Sequence, residues 1–217
     1  MSRVPPLILD VSLWSADLVN LAAEIQAISP FADSFHIDVA DGHFAPGLLF
    51  FPDLVAAIRK ITRLPLHVHL MVSDPAGMAR RFIEAGADLI TVHVESDGSQ
   101  KALDAIRASG RPAGLAIGLD TPVGALQPAA GQVDHVIAMG TRIGIKGADL
   151  DPDACGRIRA IRGLFRDRPS VKIYADGGIR RESVPLLRRA GADAIVPGSL
   201  IFQAEDRPAM HRWLTSL

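Results

Sequence analysis

Short apolar runs of five to seven residues recur along this chain, separated by longer stretches whose apolar positions fall three and four apart. The runs predict strands at 7–13 (LILDVSL), 34–39 (SFHIDV), 66–71 (LHVHLM), 89–94 (LITVHV), 113–118 (AGLAIG), 133–139 (VDHVIAM), 171–175 (VKIYA) and 193–197 (DAIVP). The stretches between them predict helices near 16–28, 52–61, 75–85, 99–109, 122–130, 152–166, 181–190 and 205–215. The punctuation agrees with this division. Ser15 and Ser73 stand near helix openings, and Asp74-Pro75 and Asp151-Pro152 place proline where a first turn tolerates it. Gly86, Gly110 and Gly191 stand where helices end.

A strand followed by a helix, eight times over, is the count of an α/β protein of the (β/α)8 type, a TIM barrel, and 217 residues suffice for a compact one. An open, doubly wound sheet shows the same alternation, which by itself does not decide closure. An internal echo favours the barrel. Ala85-Gly86-Ala87-Asp88 leads into LITVHV, and Ala190-Gly191-Ala192-Asp193 leads into AIVPGS about half a chain length later. No linker, low-complexity segment or charge run marks a second domain, so residues 1–217 are expected to form a single barrel domain.

Composition narrows the function. The 23 basic and 24 acidic side chains leave a net charge of −1, and aromatics make up 5%. Neither favours binding of nucleic acid or a membrane surface, so neither is expected as a partner. The single cysteine, Cys155, excludes an intrachain disulfide and a cysteine-rich zinc site. Asp10 interrupts the apolar run near the start, no cleavage-site pattern follows, and no run approaches the ~18 apolar residues of a membrane span. The expected location is the cytoplasm.

In such a barrel the chemistry sits where strands end and loops begin. Those positions hold Ser12, His36 and Asp38, His67, His69 and Met71, His93 and Glu95, Met139, Asp176 with Gly177 and Gly178, and Gly198 with Ser199. Residues two apart on a strand share a face, so His36 points with Asp38 and His67 with His69. If these faces line the barrel mouth, His36, Asp38, His69 and Asp176 converge. Two imidazoles and two carboxylates suit one divalent metal ion such as zinc, iron(II), manganese or cobalt, and the donor types do not choose among them. A single strand histidine is more often a hydrogen-bonded core residue; four polar groups at strand ends are harder to bury without a purpose. Gly177-Gly178 or Gly198-Ser199 alone occurs in ordinary turns. The two together, after the last two strands, stand where many barrels bind phosphate through backbone N–H groups.

At these residues the sequence resembles the ribulose-phosphate 3-epimerase family over nearly its whole length. The resemblance runs through SLWSAD at Ser12–Asp17, FHIDVADGHFAP at Phe35–Pro46 and LHVHLMVSDP at Leu66–Pro75. It continues through EAGADLITVHVES at Glu84–Ser96, YADGGI at Tyr174–Ile179 and AGADAIVPGSLIF at Ala190–Phe202. The resemblance implies a barrel of the ribulose-phosphate-binding type, one catalytic divalent metal, a small ketose phosphate as substrate, and a homo-oligomer. It implies metal ligands at His36, Asp38, His69 and Asp176, with Asp38 and Asp176 also the acid/base pair. It further implies Ser12 beside the substrate near the metal, Met71 and Met139 capping the reacting carbons, and Gly177, Gly178, Gly198 and Ser199 at the phosphate. The implied reaction is epimerisation at carbon 3, with D-ribulose 5-phosphate and D-xylulose 5-phosphate as the leading pair. Allulose 6-phosphate or a tetrulose phosphate is the alternative substrate.

The chain departs from the family pattern in places. Ala40 stands where the family has methionine, which is expected to enlarge the pocket, and Gly118-Leu119-Asp120-Thr121-Pro122 replaces N-P-x-T-P. After the sixth predicted strand, MGTRIGIKGA at Met139–Ala148 replaces MSVNPGFGGQ. Gly144, Ile145, Lys146 and Gly147 are expected to contact the substrate there. Arg142 and Lys146 either add charge near the phosphate or point into solvent. His67 is expected to support the site or the core, His93 and Glu95 to orient the site or pack, and His43 to be surface. Lys172, at the start of its strand, is too far from the mouth for a Schiff base. Three rivals carry less. Barrel decarboxylases use a D-x-K element, and no lysine here has Asp two residues before it. A metal hydrolase suggested by His67-Val68-His69 expects further histidine ligands late in the barrel and its HxH on the first strand, and neither is seen. A noncatalytic sugar-phosphate sensor would not need two acids.

Overall fold

The computed structural model describes residues 5–217. Its strands are β1 (Ile8–Ser12), β2 (Ser34–Asp41), β3 (Leu48–Leu49), β4 (Leu66–Met71), β5 (Leu89–His93), β6 (Ala113–Ile117), β7 (His135–Met139), β8 (Lys172–Asp176) and β9 (Ala194–Val196). Eight of them pair in parallel, in the order β1, β2, β4, β5, β6, β7, β8, β9. β1 pairs with β9 on one side and with β2 on the other, which closes the sheet into a (β/α)8 barrel and excludes the open alternative. β3 is a two-residue antiparallel flap that sets Leu49 opposite Ala40 of β2.

The helices are α1 (Leu21–Ile28), α2 (Pro52–Ile61), α3 (Pro75–Glu84), α4 (Ser99–Ala108), α5 (Ala154–Leu164), α6 (Val184–Ala190), α7 (Ser199–Phe202) and α8 (Arg207–Thr215). Four differ from the sequence expectation. The stretch expected as 122–130 is a 3-10 helix, Val123–Ala129, because Pro128 lacks the N–H a longer α-helix would use there. The first expected helix is divided into 3-10 turns at Leu13–Ser15 and Leu18–Asn20 before α1, and Asp17 caps the second by accepting from Val19 N–H. α5 and α6 start later than expected, at Ala154 and Val184. The short α7 follows Gly198.

Alternation along the strands divides the core in two. Leu9, Val11, Phe35, Ile37, Val68, Leu70, Ile90 and Val92 point outward and pack with helix residues such as Ile25, Val55, Phe82 and Ile106. The inward positions of the first strands are polar: Asp10, His36, His67, His69, Thr91 and His93 are all fully buried. The opposite wall of the interior is apolar, built from Ala116, Ile137, Met139, Tyr174, Ala194 and Val196. The barrel is thus filled by a polar half and an apolar half that meet beneath its mouth.

Candidate active site and metal centre

β2, β4 and β8 bring four donors together at the carboxyl ends of the strands. His36 Nε2 lies 3.2 Å from Asp38 Oδ1, 3.3 Å from His69 Nδ1 and 3.7 Å from Asp176 Oδ2. His69 Nδ1 lies 3.4 Å from Asp38 Oδ1 and 3.5 Å from Asp176 Oδ2. Ligands ~2.0–2.1 Å from a central ion in a tetrahedron stand about 3.3–3.4 Å from one another. Four of the five measured edges come close to that spacing and the fifth, His36 to Asp176 at 3.7 Å, is longer; these four side chains fit one divalent ion, and mixed imidazole and carboxylate donors suit a transition metal. Burial alone would raise the Asp38 carboxyl, but His36 and His69 beside it hold it well below the ordinary carboxylate range. Ser12 Oγ donates to Asp38 Oδ2 at 2.8 Å, leaving Oδ1 toward the cluster.

Each histidine is backed by a buried partner. His36 Nδ1 meets Asp10 Oδ2 at 2.9 Å. His69 Nε2 meets His93 Nε2 at 2.9 Å, and His93 Nδ1 donates to Glu95 Oε2 at 3.0 Å. Burial pushes His93 down to about 4. Glu95 also accepts from Gly118 N–H at 2.7 Å, and His93 with its other donors brings its carboxyl down to about 2 against the effect of burial. His67 lies one layer deeper, between Asp10 Oδ2 at 2.7 Å and Thr91 Oγ1 at 2.7 Å. The Asp41 carboxylate accepts from the backbone of His43, Phe44 and Ser73, tying the loops after β2 and β4 together at the rim.

A cavity of about 330 Å³ opens above the cluster. Asp38 and Asp176 border it, together with Ser12, Met71, Met139 and Val196. Gly177, Gly178, Gly198, Ser199 and the loop residues Gly144, Ile145, Lys146 and Gly147 also line it. Gly177 and Gly178 have φ of 92° and 67°, and a Cβ on Gly178 would come within 2.5 Å of the Leu150 backbone, so no side chain fits between this turn and its neighbour. Lys146 reaches across the mouth: its Nζ donates to the Trp14 carbonyl at 2.7 Å and sits 5.7 Å from the Trp14 ring centre. Arg142 is exposed and pairs with Asp120 at 3.6 Å, although it borders the cavity.

The sequence reading missed several residues here. Trp14, Thr141, Arg180 and Gln203 line the cavity, and Arg180 donates to the Gly147 and Ile179 carbonyls. Arg180 follows Gly177-Gly178-Ile179 directly, which is the signal that marks it. In the sequence Asp10 stands out only as an interruption of an apolar run; its place two residues before Ser12 puts it on the same inward face. Ala40 is buried with Ala45 and Met71; it packs on Met71, which lines the cavity, and does not line the cavity itself. His43 is exposed and Cys155 half-buried, and neither borders the cavity.

A closed (β/α)8 barrel with clustered imidazoles and carboxylates opening on a cavity at its strand ends defines the class, a barrel enzyme. Within that class the chain belongs to the ribulose-phosphate 3 epimerase family, whose model matches residues 8–202, and it is an epimerase, hence an isomerase. A ribulose-phosphate 3-epimerase of Rhodobacter capsulatus is 40% identical over 194 residues, covering 88% of this chain and 84% of the relative. That of Aquifex aeolicus (strain VF5) is 36% identical over 210 residues, covering 95% and 94%. A 3-keto-L-gulonate-6-phosphate decarboxylase structure from Vibrio cholerae O1 biovar El Tor str. N16961 superposes with a TM-score of 0.75 over 98% of each chain. At 18% identity that likeness shows the shared fold alone. Among the described residues no helix is long and apolar enough to cross a membrane.

Proposed function

We propose that this chain epimerises a ketose phosphate at carbon 3, interconverting D-ribulose 5-phosphate and D-xylulose 5-phosphate, with Asp38 and Asp176 as the two bases. The observation that carries this reading is that both carboxylates border one cavity while coming from strands three apart around the eight-stranded ring. Inversion next to a ketone requires a carbon-bound proton to leave from one face and a proton to return to the other. One base would tend to restore the original configuration, whereas two bases reached from different sides serve both directions. Asp38 takes or delivers the proton on its side while Ser12 steadies its Oδ2; Asp176 does the converse from β8. A divalent ion held by His36, Asp38, His69 and Asp176 would supply Lewis-acid stabilisation of negative charge developing on the substrate oxygens. Met71 and Met139 give the reacting carbons an apolar, adaptable wall that limits water.

The turns at Gly177-Gly178 and Gly198-Ser199, which line the same cavity, receive the phosphate, with Lys146 and Arg180 beside them. The remaining parts of the reading are a cytoplasmic location and assembly into homo-oligomers. The test is proton NMR of the protein with D-ribulose 5-phosphate in deuterated water, with and without chelator. Deuterium entering at carbon 3 as xylulose 5-phosphate forms, and stopping with chelator, is the expected result. Absence of exchange from a folded, metal-loaded sample would refute this substrate pair.

A further inference from the structure

One layer below the four-donor cluster lies a buried polar chain that the epimerase reading leaves unused. Asp10 is fully buried, and its carboxylate meets three donors. Ser34 Oγ donates to Oδ1 at 2.5 Å, while His36 Nδ1 and His67 Nδ1 meet Oδ2 at 2.9 and 2.7 Å. An ionised carboxylate only accepts, so both imidazoles present a proton on Nδ1 to it. A neutral His67 is then an acceptor at Nε2, and the Thr91 hydroxyl, 2.7 Å away, donates to it. Having spent its one proton, Thr91 Oγ1 accepts from His135 Nε2, also at 2.7 Å. The donors run in one direction, from His135 through Thr91 and His67 to Asp10.

For His36 the consequence falls on the site. In a neutral His36 with its proton on Nδ1, the lone pair is on Nε2, and Nε2 is the atom that faces Asp38, His69 and Asp176. We propose that Asp10 is the positioning residue that fixes His36 as an Nε2 donor to a divalent cation, and is itself held by the His67–Thr91–His135 chain. The proposal rests on the reading of His36, Asp38, His69 and Asp176 as the metal-holding set. Two further observations support it. A Cβ on Gly114 of β6 would lie 2.1 Å from His135 Nε2 and 2.7 Å from Thr91 Oγ1, so the barrel omits a side chain where these two meet. Asp10, His36 and His67 are also close enough to hold an ion of their own. Their 2.7–2.9 Å separations, however, are hydrogen-bond lengths, shorter than the roughly 3.3 Å edge of an ion's ligand shell. His69, by contrast, faces the cluster with Nδ1 because its buried partner, His93, lies on its Nε2 side.

The experiment measures zinc affinity by chelator competition and records imidazole N–H protons by NMR in the zinc-loaded full chain. Asp10→Asn keeps the shape but can turn a donor toward His36. It is expected to weaken zinc binding about 10–100-fold, the usual cost of losing a ligand's hydrogen-bond partner. It is also expected to abolish the slowly exchanging His36 Nδ1–H signal. Thr91→Val breaks the chain without touching Asp10 or His36, and is expected to weaken zinc at least about threefold. It decides the matter should Asp10→Asn fail to fold. Zinc affinity within twofold of wild type in the folded variant overturns the proposal, as does wild-type His36 binding zinc through Nδ1. A wild-type chain that binds no divalent ion instead removes the metal-holding reading on which the proposal rests.

Discussion

Gly114→Ala tests how tightly the polar half of the barrel is built. The added methyl would sit 2.1 Å from His135 Nε2, 2.3 Å from its Cδ2 and 2.7 Å from Thr91 Oγ1. None of these neighbours can move aside easily, because Thr91 is fully buried and His135 is 2% exposed. Overpacking of this kind costs about 1–3 kcal/mol. Pushing His135 from Thr91 leaves a buried donor without its acceptor, which costs about 1–3 kcal/mol more. Replacing glycine restricts the unfolded chain and returns roughly 0.4–1 kcal/mol. The balance is a destabilisation of about 3 kcal/mol, or roughly 6–12 °C in melting temperature for a chain of this length. Urea unfolding monitored by circular dichroism measures it. The two closest collisions are with His135, so in a His135→Ala background, where only the Thr91 contact remains, the same substitution is expected to cost about half as much or less. A loss below about 1 kcal/mol in the wild-type background, or an equal loss in both, would refute the reasoning.

Three further outcomes are expected. Asp38→Asn and Asp176→Asn each lower turnover by about 100-fold to 10,000-fold with the circular dichroism unchanged, as loss of a general acid or base does; near-wild-type deuterium exchange in either would sink the two-base scheme. Lys146→Ala raises KM roughly 5–30-fold and leaves kcat within about threefold if its ammonium meets the phosphate, and an unchanged KM returns Lys146 to a rim contact with Trp14. For Glu95, the folded carboxyl at about 2 lies below its ordinary 4.5, so the stability it contributes is complete above pH 4.5 and is lost as pH falls from there toward 2. Because this side chain is 22% exposed, screening reduces the contribution to about 1–2 kcal/mol; in Glu95→Gln the stability difference from wild type should shrink over that window, and a difference independent of pH contradicts the assignment.

Much of the fold was legible because strand and helix periods are local properties. The run LHVHLM predicts 66–71, which is where β4 lies, and seven other apolar runs coincide with strands to within about two residues. The exceptions have local causes that outweigh periodicity: Pro128 keeps the expected helix at 122–130 in 3-10 form, and the two-residue β3 is too short to leave a pattern. The four donors were legible for the same reason. His36 and Asp38 are two apart on one strand, His69 ends a polar alternation on another, and Asp176 precedes a glycine pair.

What the sequence determined by itself is therefore each strand's place and which side chains share its face. Whether the strands close, and what the inward side chains meet, was decided only by the tertiary structure. Closure depends on β1 pairing with both β2 and β9, and no local pattern distinguishes a closed barrel from an open sheet. Asp10 joins His36 and His67 across 26 and 57 residues of chain, and Lys146 reaches Trp14 across 132. Those distances are spanned by the barrel's curvature and the register of its strands, not by any repeat in the sequence. Which nitrogen of His36 or His69 faces the cluster depends on where the buried partner of each ring lies, and that is fixed only once the strands are side by side.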